Sequence, residues 1–552
     1  MKAVSSQVGG DAAKQIQIIK LLLSKGVIIS PETLLKISQQ FQQEKLLTNA
    51  QTLALNGTLS SATFQALIST PTTQNPQQEK ETPNSFSSES AFTDVGFDTP
   101  HPPAVRVLFS YKGIPQKRTV QDFVGYFNSR YNLLRRILQD RKELGSPISI
   151  NRIMQGNTAR ESEECSIIGL ILDKQETKNN NILLTIEDAT GTIKVLAHKN
   201  NAEAHAAAKE SVLDEVVGIV GTIKENIIFA KSILLPDVPN TKELKKSPDE
   251  AYLVGVSCIH IGSNLFLKEE FEKFIRWLRG EHGTPEQRRV ARNVRYLFLV
   301  GDLVDGVGIY PNQDKDLSIQ DIHEQYRTLA NYLKMIPPSV HIIISPGNHD
   351  AMSIAEPQPP LYKDFAKAMY EIPNATFVSN PAIVNVHAIN NFPGFDCLIY
   401  HGFSFIYYSD AVDHIRSAGG QQRADLIMKF LLKRRHLAPT HTSTLYIPDP
   451  HKDNLVIDTV PDLFIGGHLH RCHASNYRNV TTMTCSCWIG TTEYQEKLGL
   501  KPQPGRVPVV NLATRQVKMF RFYDDGEQTN EPNNKTAHTE NNGMPITTQT
   551  TQ

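Results

Sequence analysis

The sequence is short of the features that would place it at once. Its six cysteines, Cys165, Cys258, Cys397, Cys472, Cys485 and Cys487, form no C-x-x-C pair and no dense framework. That excludes a zinc ribbon and a disulfide-stapled secreted scaffold, and it predicts a reducing compartment. Long apolar runs are missing: none approaches the roughly 18 residues that suggest a membrane span. The opening MKAVSSQVGGDAAKQ lacks the apolar stretch of a signal peptide. The expectation is a soluble, cytoplasmic protein with no membrane partner. Net charge is missing too, since Lys+Arg and Asp+Glu both number 57. A protein that holds nucleic acid alone over a long track is normally basic, because neutralised phosphates supply much of that affinity. Either the substrate is small, or a partner does most of the holding.

At 552 residues the chain exceeds one core and predicts several units. Residues 1–68 read as a small helical docking module. Ile16, Ile18, Ile19, Leu21, Leu22 and Leu23 make an apolar face ending at Gly26, and Ser30-Pro31 starts a second helix through Leu34, Leu35 and Ile37. Residues 69–104 are rich in Pro, Ser, Thr, Gln and Asn. They cannot bury enough apolar surface to offset ordering, so a disordered linker is expected. Residues 525–552 read the same way. Residues 105–240 combine a helix over 120–144, with Phe123, Phe127, Tyr131, Leu134 and Leu138 on one face, and short strands from about 149 to 236. Arg130, Arg135, Arg136 and Arg141 on that helix read as a solvated face rather than a nucleic-acid patch. Five short strands, with D-A-T-G-T as a hairpin turn, predict a small OB-type barrel. Phe229 is its single strand aromatic, which favours a structural or partner-facing role over base stacking.

Residues 241–524 carry the chemistry. Apolar strands alternate with helical stretches, and each strand runs into polar residues of one kind. YLVGVS leads to Cys258-Ile259-His260, YLFLVG to Asp302 and Asp305, and VHIIISPG to Asn348-His349-Asp350. DCLIY leads to His401, and DLFIGG to His468 and His470. Buried strands feeding loops at their carboxyl ends are how α/β sheets assemble sites. His, Asp and Asn offer nitrogen and oxygen donors suited to Mn, Fe or Zn, in a number sufficient for two ions. Two such ions can clamp the attacking and leaving oxygens of a phosphoryl displacement.

This series resembles the calcineurin-like metallophosphoesterase superfamily, whose motifs read D-x-H, G-D-x-x-D, G-N-H-D, H and G-H-x-H. Together with FVGYFNSRYNLLRRILQDRKEL, SINRI, the barrel, GDLVDGVGIYPNQ and GNHDAMSIAEPQPPL, it looks like the small subunits of archaeal family-D DNA polymerases over about residues 105–524. The resemblance implies a multidomain α/β-plus-β fold, in which a calcineurin-like β-sandwich flanked by helices follows the barrel and the N-terminal helical module. It places His260, Asp302 and His470 on one divalent metal. Asp302 would bridge to a second, held by Asn348, His401 and His468, with His349 as the catalytic histidine. Mn2+ is the implied ion, with Zn2+, Fe or Mg2+ as alternatives. Asp305 and Asp350 are candidates to orient the ligands, with a purely structural role for the two equally open.

One position departs from the pattern. Cys258 stands where the family has the first Asp of D-x-H, and its soft thiolate favours zinc over manganese. A working site with altered metal preference, a weakened site and a retired one all remain open; the seven retained motif residues favour a functional or partly functional site. Cys472 lies close to His470 in sequence but reads, like Cys485 and Cys487, as a packed residue. The implied activity is a metal-dependent 3′→5′ exonuclease that proofreads at DNA 3′ ends for a large catalytic polymerase chain. The alternatives are a non-catalytic scaffold subunit and a phosphoesterase for small substrates.

Overall fold

The computed structural model describes residues 103–113, 116–155 and 163–524, together with a short parallel pairing of Ile28–Ile29 with Thr58–Leu59. Apart from that pairing and residues 103 and 104, the expected helical module, linker and tail lie outside the described residues. The chain divides into two units, Met1–Val95 and Gly96–Gln552; the architecture below is that of the second.

Strand β1 (Val105–Ser110) comes first. Helix α1 (Val120–Gln139) starts where the Asp122 carboxylate accepts the Thr119 amide at 2.6 Å. The barrel follows: β2 (Glu164–Glu176), β3 (Ile182–Asp188), β4 (Gly191–Ala197), helix α2 (Ala202–Glu210), β5 (Val216–Lys224) and β6 (Ile227–Leu234). It closes in the order β2-β3-β4-β6-β5, with β5 pairing back to β2. The predicted hairpin turn is present, since Asp188 Oδ1 accepts the amides of Thr190 and Gly191. Ile167, Leu184, Ile186, Val195 and Ile219 fill the interior.

The rest alternates strands and helices. First come β7 (Tyr252–Val256), α3 (Lys268–Leu278), α4 (Pro285–Arg292), β8 (Val294–Val300), α5 (Ile322–Leu333), β9 (His341–Ser345) and β10 (Ala375–Phe377). Then come β11 (Ala382–Val386), β12 (Phe395–Ile399), α6 (Phe405–Ala411), α7 (Asp413–Ser417), α8 (Ala424–Arg434) and β13 (Leu463–Gly466). The last are β14 (His473–Tyr477), β15 (Val480–Thr484), α9 (Glu493–Lys497), β16 (Arg506–Asn511) and β17 (Val517–Arg521). Two six-stranded sheets result, β10-β9-β8-β7-β16-β17 and β14-β15-β13-β12-β11-β1. Although β1 precedes the barrel in sequence, it pairs with β11.

The sheets pack face to face, because their central strands are apolar on both sides. Leu253, Phe298 and Ile343 of the first sheet meet Val384, Cys397 and Ile465 of the second. The alternate residues Val254, Leu297 and Ile342 pack outward under Phe271, Phe274 and Leu329. Leu398 and Phe464 do the same under Tyr408, Ile427 and Phe430. Coverage of both faces explains why these strands read as unbroken apolar runs. Truncating a buried side chain such as Phe271 to Ala costs about 3–5 kcal/mol.

The arginines of α1 do not all behave as a solvated face. Arg130 is fully buried. Its Nε meets Asp453 at 2.7 Å, its ring neighbour is Phe127, and the Pro439 carbonyl accepts from it. A buried guanidinium is tolerated because charge and hydrogen-bonding capacity are both matched. With the buried Arg434–Glu215 pair, it fastens α1 and the barrel to the sandwich, so the sites of the latter sit on a rigid frame. No described helix is long and apolar enough to cross a membrane.

Candidate functional site

Beyond the ends of β7 and β8 the two chains continue side by side. Cys258 N donates to Gly301 O, and His260 N to Asp302 O. This brings CIH and GDLVD together at the carboxyl edge of the first sheet. Cys258, His260, Asp302, His468 and His470 all adopt left-handed backbone, with φ of 51°, 53°, 52°, 66° and 54°. Such conformations cost non-glycine residues stability and concentrate at functional sites. Glycine is required around them by close approach: a Cβ at Gly347 would collide with the amide and Oδ1 of Asp302, and one at Gly301 with His401 Nδ1.

Asp302 is the centre. Its Oδ1 accepts the His349 amide at 2.9 Å. Its Oδ2 lies 3.1 Å from His401 Nε2, without completing a hydrogen bond, and 3.9 Å from His260 Nε2. The histidines are oriented from behind. His260 Nδ1 pairs with Asp305 at 3.0 Å, and Asp305 is held in turn by Gln313 at 2.9 Å. His401 Nδ1 donates to the Val300 carbonyl at 2.8 Å, and its own amide to Asn380 Oδ1. Each ring is thereby fixed in the tautomer that leaves Nε2 with a lone pair facing the site. His349 Nδ1 donates to the Asp305 carbonyl at 2.9 Å, its ring 4.6 Å from that of His260.

The buried side-chain atoms that find no hydrogen-bond partner include His260 Nε2, Asn348 Oδ1, His401 Nε2 and His468 Nε2. Unpaired buried polar atoms are costly and call for an explanation. Those of His260 and His401 lie 3.9 and 3.1 Å from Asp302 Oδ2, the His468 ring is 5.0 Å from that of His401, and the donor types suit divalent cations. Cys258 belongs to the group by position: its sulfur lies within 4.8 Å of ligand atoms of both His260 and His470, and likewise of Asp302 and His401. It is fully buried and also touches Ser257 Oγ at 3.2 Å. Two overlapping sets, Cys258 with His260 and His470 and Cys258 with Asp302 and His401, are thus close enough that each could hold a divalent ion.

Electrostatics follow from crowding in a buried site. Burial opposes ionisation of Asp302, but the imidazoles of His401, His349 and His260 hold its carboxyl well below the usual range. Burial likewise works against Asp305, which the His260 hydrogen bond keeps low. Burial pushes His468 down to about 3 and His470 far below the ordinary value. Both are thus unprotonated, as ligands must be. Burial and the Asp302 charge push the Cys258 thiol up, so only a cation would make its thiolate favourable.

All eight sequence candidates, Cys258, His260, Asp302, Asn348, His349, His401, His468 and His470, fall in this region. Asp305 pairs with the Nδ1 of His260, one of the candidate ligands. Asp350 does not: it accepts the amides of Gly347 and Leu303 and the Tyr326 hydroxyl, and so shapes the loop. Burial and Asp302 push it up to about 7. Cys472 packs against Met519, Cys485 lies between the sheets, and Cys487 joins Cys258 and Ile489 in a small apolar cluster. The supporting residues Gln313, Gln358, Asn380 and Gln495 escape sequence reasoning, although Gln313 and Gln358 lie inside the GDLVDGVGIYPNQ and AEPQPPL segments. Gln358 Nε2 donates to Gly347 O, tying AEPQPPL to the loop of Asn348 and His349.

Similarity to known proteins covers both the site and the frame. A family model for the B subunits of DNA polymerases alpha and epsilon matches residues 259–474. The DNA polymerase II small subunit of Methanothermobacter thermautotrophicus is 38% identical over 401 residues, 73% of this chain and 80% of that protein. That of Thermoplasma acidophilum is 31% identical over 513 residues, 92% of each. For the Pyrococcus abyssi protein of the same name the figures are 39% identity, 73% of this chain and 63% of that one. A solved archaeal phosphodiesterase aligns over 49% of this chain at 11% identity and a TM-score of 0.25, too low to bear on fold. Sequence identity at this level over this span settles kinship: the chain belongs to the family of DNA polymerase II small subunits, those of the archaeal family-D polymerases.

Proposed function

We propose that this small subunit is a metal-dependent 3′→5′ exonuclease that removes misincorporated ends for a large catalytic polymerase chain. In this reading the sandwich is a calcineurin-like phosphoesterase domain and the barrel an OB-type fold serving assembly. The observation that carries it is the set of buried, unpartnered atoms His260 Nε2, Asn348 Oδ1, His401 Nε2 and His468 Nε2, of which those of His260 and His401 lie 3.9 and 3.1 Å from Asp302 Oδ2.

Cys258, His260, Asp302 and His470 would hold one divalent ion, and Asp302, Asn348, His401 and His468 the other. When bound, such a pair stabilises charge on phosphoryl oxygens and acidifies water. The protein's part is to hold these side chains rigid and to present His349. With its Nδ1 proton committed to the Asp305 carbonyl, His349 would face the scissile phosphate through Nε2; it would steady charge or protonate the departing 3′ oxygen only as the imidazolium, with a second proton on Nε2 taken from solvent or the attacking water, a form that its burial opposes. Val307, Ile309 and Tyr310, exposed beside Asp305, offer apolar surface for unpaired bases. The zero net charge fits a division of labour in which the large chain grips the duplex.

Purified protein with Mn2+ should shorten end-labelled single-stranded DNA stepwise and leave p-nitrophenyl phosphate nearly untouched. Activity on the small ester alone would support a phosphoesterase of small substrates instead. Inertness towards both would support a scaffold.

A further inference from the structure

The histidines of the site are not supported alike. Behind His260 stands a carboxylate, behind His401 and His349 a carbonyl, and each takes a proton from Nδ1. Behind His470 stands a donor. The Nε2 amide of Gln495, on α9, lies 2.8 Å from His470 Nδ1. The orientation of that amide is fixed by a second bond, because Gln495 Oε1 accepts the Thr492 amide at 3.0 Å in the capping box that starts α9. Only the NH2 end is left for the imidazole.

A ring nitrogen that accepts from an amide has its lone pair occupied. If Nδ1 is the ligating atom, Gln495 competes for it directly. If Nε2 is the ligating atom, a neutral ring whose Nδ1 accepts must carry its proton on Nε2, where it cannot bind a cation. Either way the contact opposes ligation. The ring cannot escape by moving the backbone, since the His470 carbonyl is held by Gln503 N and Ser486 Oγ and its φ is already left-handed. Gln495 lies instead on a short surface helix whose Tyr494 and Leu498 are exposed.

We infer that Gln495 is a positioning residue that holds His470 in a non-ligating form, so that the Cys258–His260–His470 site fills only when this side chain swings away. The inference rests on the two-cation reading above and adds an asymmetry to it: one ion binds tightly, the other weakly.

The test is Mn2+ titration of the full chain by calorimetry, with wild type, Gln495→Glu and Gln495→Met. Glu keeps the capping bond and turns the donor into an acceptor, the arrangement His260 already has. Met removes the donor without adding charge. Wild type should show one tight and one weak step. Only the weak step should move, tightening by about 10–100-fold in Gln495→Glu, the usual reach of a ligand's supporting partner, and by less in Gln495→Met. The 15N shifts of the His470 ring should report Nε2–H in the metal-free wild type and Nδ1–H in Gln495→Glu. Two steps of equal affinity unchanged in both variants would overturn the inference while leaving the two-ion site intact. A gain in Gln495→Glu alone would assign the effect to charge and overturn it as well. Absence of Mn2+ binding in all three proteins would overturn the two-ion reading together with it.

Discussion

Asp302 divides its two oxygens between two tasks: Oδ1 accepts the His349 amide at 2.9 Å, and Oδ2 lies 3.1 Å from His401 Nε2. One atom builds the loop and the other is left for chemistry. On the proposed reading, Asp302→Ala should therefore abolish DNA cleavage and reduce bound metal, while polymerase assembly and synthesis persist, because docking would use the barrel and the outer faces of the sandwich. Gel filtration and primer extension with the large chain check this; loss of the complex would mark the site as structural.

His349→Ala separates the substrate from the ions. Its ring is held by a carbonyl rather than arranged around Asp302 Oδ2, so metal content should stay near wild type. Cleavage should fall by about 10²–10⁴-fold, the usual loss when acid–base assistance is removed. Rate and metal analysis on the same preparation decide the matter, and a wild-type rate would remove His349 from its role.

Cys258→Asp restores a hard oxygen where sulfur now lies within 4.8 Å of four other ligand atoms. Zn–S bonds are about 2.3 Å and manganese prefers oxygen, so the wild type should favour Zn2+ and lose activity on thiol oxidation. The variant should gain Mn2+-supported cleavage with an unchanged melting temperature. A lowered melting temperature without gain would mean that the new carboxylate is buried unpaired, and that Cys258 only packs.

Stability should depend on pH through His436, which is no part of the candidate site. Its Nδ1 accepts the Ala438 amide at 2.9 Å and its Nε2 donates to Asp453 at 2.8 Å, which requires a neutral ring. Burial and the Arg130 charge lower its pKa to about 4. The unfolded chain therefore takes up the proton first, near 6.5. The stabilisation is complete above that value and is lost as pH falls from about 6.5 towards 4, on the order of 3 kcal/mol in all. Asp453, held low against its burial by His436 and Arg130, keeps its contribution down to lower pH. Denaturant unfolding at several pH values should show this slope, and His436→Gln should flatten it. Arg130→Met should cost about 3–5 kcal/mol by stranding Asp453.

The candidate site residues are legible in the sequence because each follows an apolar strand within a few residues, so local pattern and residue chemistry coincide. Their supports are not. Gln495 reaches back 25 residues to His470, and Gln313 serves Asp305 from a loop with no periodicity. Arg130 sits at a helical position that pattern alone assigns to solvent; its burial depends on Asp453, 323 residues away. Likewise β1 gives no local sign that its partner is β11. Such pairings arise from tertiary packing, which composition and spacing do not encode.

The decisive measurement is Mn2+-dependent degradation of a 5′-labelled DNA strand by the wild type and by Asp302→Ala, prepared in parallel and each assayed with and without EDTA. Wild type should give a ladder shortening one nucleotide at a time from the 3′ end, abolished by EDTA and absent in Asp302→Ala. An undegraded strand in wild type, or equal degradation by both proteins, would refute the proofreading role built on Asp302.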